Sequence, residues 1–315
     1  MPYRHIPVML SEVIDYLNCQ PGKTYLDGTI GGTGHTSAIL DRIHPGGHLV
    51  GIDQDSDAIE NAKTVLHGSK AATHLFHGNY SQFPEFLAQL NLPAVDCLLL
   101  ELGVYFHQLE SSGRGFSFKR EEPLDMRMDT RSGTRAEKLV YSLDEKKLAR
   151  LFKTYGEERW AKQIARQIGA VRRKTAICSS LQLADIVSGA IPRAEWKPGR
   201  HPATRVFMAL RIAVNHELER LTQFLEIFAG YLKPGGRICI LTFHSLEDRI
   251  VKHGFKALEK ACTCPPDFPI CVCQTKRRIR ILVKKGLRPT PEEIAANPMA
   301  CLLYTSDAAD DPTLV

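Results

Sequence analysis

Apolar residues in the first hundred positions fall into short unbroken runs. "TYLD" (24–27), "GHLVGID" (47–53), "THLFHG" (73–78) and "VDCLLLELG" (95–103) have turn residues at their ends, and a fifth run, "GGRICILTF" (235–243), comes much later. Runs of this length and composition predict buried strands. Between the first four lie helix-patterned segments, "HTSAILDRI", "SDAIENAKTVL" and "FPEFLAQL". Strand and helix in alternation predict a mostly parallel, doubly wound sheet with helices on both faces, an α/β fold. The alternation stops after Gly103. A polar, Arg-rich stretch follows, then helices at "EERWAKQIARQIGAVRR" (157–173) and "SSLQLADIVSGAI" (179–191), and one long helix from about Pro202 to Leu232. The pattern therefore predicts a sheet domain made of residues 1–106 and 201–300, an inserted, mostly helical domain at 107–200, and an atypical tail at 301–315.

Charge divides along the same lines. Residues 1–111 carry a net −7, residues 112–211 a net +11 and residues 212–315 a net +2. In the helix at 157–173, Trp160, Ile164, Ala165 and Ile168 recur at core spacing, while Arg159, Lys162 and Arg166 share another face. A basic insert beside an acidic sheet domain fits a part that faces a polyanion, and equally a solvated helical surface. No run of about eighteen apolar residues exists and the first residues lack a signal pattern, so no membrane and a cytoplasmic location are expected. Nine cysteines, five of them scattered, suit a reducing compartment better than a disulfide framework. The other four, Cys262, Cys264, Cys271 and Cys273 in "CTCPPDFPICVC", are zinc-binding residue types, but their one-residue spacing is tighter than the usual knuckle. No metal is assigned to them on spacing alone.

The stretch "LDGTIGGTGHT" (26–36) places Gly28, Gly31, Gly32 and Gly34 between a strand and a helix, where backbone N–H groups can approach a nucleotide. The dinucleotide fingerprint fails because Ser37 stands where its third glycine belongs. Asp27, Asp53 and Glu101 each end a predicted strand. Three acids at one sheet edge repel a pyrophosphate but suit a sulfonium and an ammonium group, with Asp53 at a ribose, so S-adenosylmethionine is the expected ligand. The competing reading is that Asp53, Asp55 or Ser56 merely caps the next helix.

Several segments together resemble the bacterial small-subunit (16S) ribosomal RNA cytidine N4-methyltransferases: "HIPVML" (5–10), "LDGTIGGTGHT", "GIDQD" (51–55), "RGFSF" (114–118), "PLDMRMD" (123–129), "YGEER" (155–159), "HPATR" (201–205), "ALRIAVNHEL" (209–218), "FHSLEDRIVK" (243–252) and "NP" (297–298). "YLKPGGRICILTF" is similar to the fifth strand and its entry turn in class I methyltransferases. The resemblance implies a class I S-adenosylmethionine-dependent methyltransferase fold. The implied reaction is methylation of N4 on a cytidine in the decoding region of small-subunit ribosomal RNA, with the small ribosomal subunit as partner. It also implies cofactor contacts at Thr33, Gly34, His35, Asp53, Tyr80, Glu101 and Gln108.

The chain departs from the family at Glu101, where Asp is usual, and at Tyr105 and Phe106, where two serines are usual; its tail, "CLLYTSDAADDPTLV", carries three Asp and no Lys or Arg and reads as foreign to the domain. Glu101 is the expected catalytic residue, orienting the amine or accepting its proton, with His244 a weaker second candidate and a helix-capping arrangement of Ser245 and Asp248 as the alternative. Arg114, Arg127, Arg131, Arg200 and Arg205 are the expected phosphate contacts, each equally readable as a structural ion pair. A homodimer stays open, as do a non-catalytic ribosome-assembly factor with the same fold and a methyltransferase acting on another RNA.

Overall fold

The computed structural model describes residues 7–262, 264, 270, 273, 276–296 and 302–308. The chain divides into two compact units, one made of residues up to Gly103 together with those from Leu218 onward, the other Val104–Glu217.

The first unit is built on strands β1 (Thr24–Asp27), β2 (His48–Asp53), β3 (Ala72–His77), β4 (Val95–Glu101), β5 (Leu232–Thr242), β6 (Ile279–Ile281) and β7 (Leu302–Ala308), in the order β3-β2-β1-β4-β5-β7-β6. β1 runs parallel to β2 and β4, β2 to β3 and β4 to β5, whereas β7 is antiparallel to β5 and β6. Every residue of β1 and β4 is buried, because both faces of the sheet are covered. Leu26, Leu98, Leu100, Ile238 and Ile240 point into a layer with Phe83, Phe224, Phe228 and Phe255. Their neighbours Tyr25, Cys97, Leu99, Cys239 and Leu241 point into the opposite layer with Val13, Ile39 and Ile43. The period-two alternation of a strand thus separates two apolar layers, and the sequence shows it only as unbroken hydrophobicity. The helices of this unit are α1 (Leu10–Leu17), α2 (Gly34–Ile43), α3 (Ser56–Val65), α4 (Phe83–Gln89), α11 (Glu217–Ile227, all but its first residue), α12 (Ser245–Glu259) and α13 (Pro291–Ala296).

The second unit holds α5 (Phe106–Glu110), α6 (Ala136–Ser142), α7 (Glu145–Gly156), α8 (Ala161–Arg172), α9 (Ser180–Ala190) and α10 (Thr204–Asn215) around its own core of Leu148, Phe152, Ile164, Ile168, Leu183, Val206 and Leu210. The face of α8 read from spacing is the buried one: Ile164, Ala165 and Ile168 are fully enclosed. Asn215 pins the "PLDMRMD" segment, accepting the Met128 N–H at 2.8 Å and donating to the Met126 carbonyl at 2.8 Å.

Two expectations change. The pattern reads 202–232 as one helix, but His216 takes a left-handed conformation (φ 52°), so α10 ends at Asn215 and packs with the insert, which runs Val104–Glu217 rather than 107–200. Residues 302–308 of the tail do not stand apart: they form β7, which lies between β5 and β6, with Leu303 in one apolar layer and Tyr304 in the other. Its aspartates outweighed a strand-like "LLYTS" in composition, whereas in the fold the buried stretch 303–306 decides its place. Cys271 and the "NP" pair at 297–298 lie outside the described residues. Among the described residues no helix is long and apolar enough to cross a membrane.

Candidate active site

The glycine loop leaves β1 at Asp27 and enters α2 at Gly34. Gly28 donates its N–H to the Leu99 carbonyl at 2.9 Å. A Cβ on Gly28 would fall 2.4 Å from Leu100 Cδ2 and 2.9 Å from Tyr80 Cβ, so only a bare backbone fits between them. Gly31 (φ 48°) and Thr33 (φ 66°) are both left-handed, a conformation that costs a β-branched residue roughly 1–3 kcal/mol. Thr33 is buried and its hydroxyl donates to the Gly32 carbonyl at 2.6 Å. Gly34 passes against Pro7, where a Cβ would meet Cγ at 2.9 Å.

The acids at the strand ends hold this loop in place. Asp27 accepts from the Thr29 N–H at 3.1 Å and the Thr36 hydroxyl at 2.6 Å, and burial pushes its pKa up. Asp53 accepts the Gly31 N–H at 3.0 Å and the Asp55 N–H at 2.8 Å. Asp55 is the N-cap of α3, accepting from Asp57 N–H. The structure therefore separates the two aspartates: Asp55 caps the helix, and Asp53 ties the end of β2 to the glycine loop.

Glu101, at the end of β4, meets His35 of α2. Nδ1 of His35 lies 3.1 Å from Glu101 Oε2, and Nε2 lies 2.9 Å from the Val8 carbonyl. With Glu101 ionised, the ring can donate to both partners only as an imidazolium. Burial alone lowers the His35 pKa, but the charge and hydrogen bond of Glu101, then Asp27 and the Val8 carbonyl, outweigh it and raise the pKa.

Thr33, Gly34, His35, Asp53, Tyr80 and Glu101 all belong to the first unit. Tyr80 opens the short turn Tyr80–Gln82, buried, with its ring edge-on to Phe224 at 5.7 Å. Gln108 belongs to the second unit, where its buried side chain accepts the Tyr105 N–H at 3.1 Å and caps α5. His244 is itself the N-cap of α12, accepting the Glu247 N–H at 3.4 Å, which moves the cap one residue ahead of Ser245.

The basic residues of the insert sort by where their side chains go. Arg114 is buried and donates to the carbonyls of Arg127 (3.2 Å) and Met128 (3.0 Å), stacked over Phe116. Arg127 grips Asp125 through Nε at 2.7 Å and Nη2 at 2.9 Å, and Arg131 grips Asp129 through Nε at 3.0 Å and Nη2 at 2.8 Å. These three therefore organise the insert's own loop. Arg205 reaches the Glu157 carbonyl at 3.0 Å. Desolvation and, after it, the neighbouring Arg205 lower the pKa of Arg200. Arg200 and Arg205 line a cavity of about 260 Å³ that also takes in Arg159, Trp160, Trp196 and Lys197. Trp196 is 40% exposed and Arg159 stacks on Trp160 at 5.2 Å. Glu158 and Glu195 also line it, Glu195 pairing with Arg159 at 2.7 Å; sequence reading missed this grouping of two indoles with four cations and two acids, whose signal was the alternation of Trp with Arg and Lys at 159–160 and 196–200.

Comparison with known proteins shows the family. A family profile described as the MraW methylase family matches residues 2–301. "Ribosomal RNA small subunit methyltransferase H" of Desulforapulum autotrophicum is 51% identical over 301 residues, covering 95% of this chain and 96% of the relative. The protein of the same name from Desulfosudis oleivorans is 50% identical, again over 95% and 96%. A solved rRNA methylase from Streptococcus thermophilus aligns over 98% of this chain and 99% of its own with a TM-score of 0.43 and 8% identity. The chain belongs to the MraW methylase family.

Proposed function

We propose that this chain transfers a methyl group from S-adenosylmethionine to the N4 amine of a cytidine in the decoding region of small-subunit ribosomal RNA, carried by the small subunit or a near-complete precursor. The observation that carries the reading is the bond from Gly31 N–H to Asp53, which sets a carboxylate at the end of β2 against a bare glycine loop at the end of β1. That donor set fits an adenosine bearing a cationic side chain: carboxylates at three strand ends, a loop whose Gly28 and Gly34 have no room for a Cβ, and no Lys or Arg between Lys23 and Arg42. The family and the near relatives named above support the same reading.

S-adenosylmethionine, when bound, supplies an electrophilic methyl group. Asp53 would hold the ribose hydroxyls, and the glycine loop would admit the ligand's main body. Cytosine N4 is a poor nucleophile because its lone pair is delocalised, so the protein must orient the amine and take up one proton as the bond forms. Glu101 is the group for that task, and His35 fixes its position. In the insert, the cavity lined by Arg200, Arg205, Lys197 and Trp196 would hold phosphate and a base.

Incubation with labelled S-adenosylmethionine and unmodified small subunits, followed by nucleoside analysis, should yield N4-methylcytidine. Label in another nucleoside would replace the substrate assignment. Cofactor binding with no transfer to any RNA would favour an assembly factor.

A further inference from the structure

We propose that Cys262, Cys264 and Cys273 form a zinc site that staples the connection between α12 and β6. The three sulfurs all lie within 4.8 Å of one another, and those of Cys262 and Cys273 are 3.7 Å apart. A disulfide holds its sulfurs at about 2.05 Å. Two thiolates on a tetrahedral zinc, each about 2.3 Å from the metal, stand roughly 3.8 Å apart. The observed separation rules out a disulfide and matches that of two ligands on one ion, although a thiol–thiol hydrogen bond has the same length. The Cys264 N–H also donates to Cys262 Sγ at 3.4 Å, the kind of contact that stabilises a metal-bound thiolate.

The tight C-x-C spacing that weakens the motif in the sequence is no obstacle once the chain folds back, because Cys273 supplies the ligand that a C-x-x-C pair would otherwise provide. The donors are all sulfur, which selects zinc over magnesium or calcium, whose ligands are oxygen. Three thiolates fill three of zinc's four positions and leave one for a further donor.

The location explains what the metal does. The Arg278 N–H returns to the Leu258 carbonyl at 2.9 Å, and the Ile281 N–H to the Glu259 carboxylate at 2.8 Å. The connection is thus a loop closed at its root on the end of α12. Among its described residues none lies in a helix or strand. A metal inside such a loop offsets its ordering entropy, and each ligating thiol gives up a proton on binding, which makes affinity rise with pH.

The test uses the full chain, reduced and stripped of metal. Titration with zinc alone should load one ion per chain. Cobalt(II) in its place should give the visible bands of a tetrahedral site and a thiolate charge-transfer band. Zinc should protect Cys262, Cys264 and Cys273 of the unaltered protein from alkylation, read by mass spectrometry, a measurement that needs no variant. Cys262→Ser, Cys264→Ser and Cys273→Ser should each lose the charge-transfer band, while Cys178→Ser, at an exposed cysteine of the other unit, should keep it. A reduced chain that retains no zinc, a band that survives all three substitutions, or unprotected thiols in the presence of zinc would overturn the proposal.

Discussion

His35 Nδ1 and Glu101 Oε2 are 3.1 Å apart in a setting where both side chains are more than nine-tenths buried. With the Val8 carbonyl on the other ring nitrogen, the pair is a buried ion pair whose halves depend on each other. Glu101 raises the His35 pKa by its charge and its hydrogen bond, so a change at Glu101 is felt at His35.

The first prediction follows from the sign of that coupling. The folded pKa of His35 is raised above its ordinary 6.5, so the stability it contributes is complete below about pH 6.5 and is lost as pH rises through the folded value. Nuclear magnetic resonance titration should find the His35 ring titrating above 6.5 in the unaltered protein and lower in Glu101→Gln. Urea unfolding of the unaltered protein and His35→Gln should show a stability gap that narrows as pH rises. A gap independent of pH would refute the ion pair.

Asp53 joins two jobs, holding Gly31 and Asp55 by their N–H groups and offering its carboxylate to a ribose. Asp53→Ala should weaken S-adenosylmethionine binding by about 1.5–3 kcal/mol, the worth of hydrogen bonds to a charged group. Calorimetry that returns the unaltered affinity would remove Asp53 from the cofactor site.

Asn215→Ala should destabilise the insert unit by about 2–5 kcal/mol, since it strands a buried N–H at Met128 and a carbonyl at Met126. Thermal and urea denaturation read this directly. A loss below about 0.5 kcal/mol, the scale of an ordinary surface change, would mean that those groups find other partners.

The arginines of the insert should divide into two classes. Arg127→Ala breaks the grip on Asp125 and should lower the melting temperature. Lys197→Ala and Arg200→Ala, in the Trp196 cavity, should leave the melting temperature nearly unchanged. Each should flatten the dependence of log K for RNA on log salt by about 0.7–0.9. An unchanged slope in normally folded variants would take the cavity out of the RNA interface.

Sequence by itself determined the parallel half of the sheet, because strands covered on both faces must be apolar without interruption, as in "VDCLLLELG". It determined the glycine loop and the acids beside it, since residue type alone states where a Cβ is missing and where a charge sits. It did not separate Asp53 from Asp55; that was decided when folding brought Gly31 to one carboxylate and left the other to cap α3. Nor did it say that Arg114 and Arg127 turn inward while Arg200 faces a cavity, because a long side chain reaches in several directions and only the packed surroundings select one. The break at His216 and the place of β7 are of the same kind. A left-handed residue other than glycine leaves no mark in periodicity, and a strand's neighbours are set by pairing with distant segments. The His35–Glu101 pair, from residues 66 positions apart in the chain, exists only because β1 and β4 lie side by side, and its charge state is a property of burial that tertiary structure alone supplies.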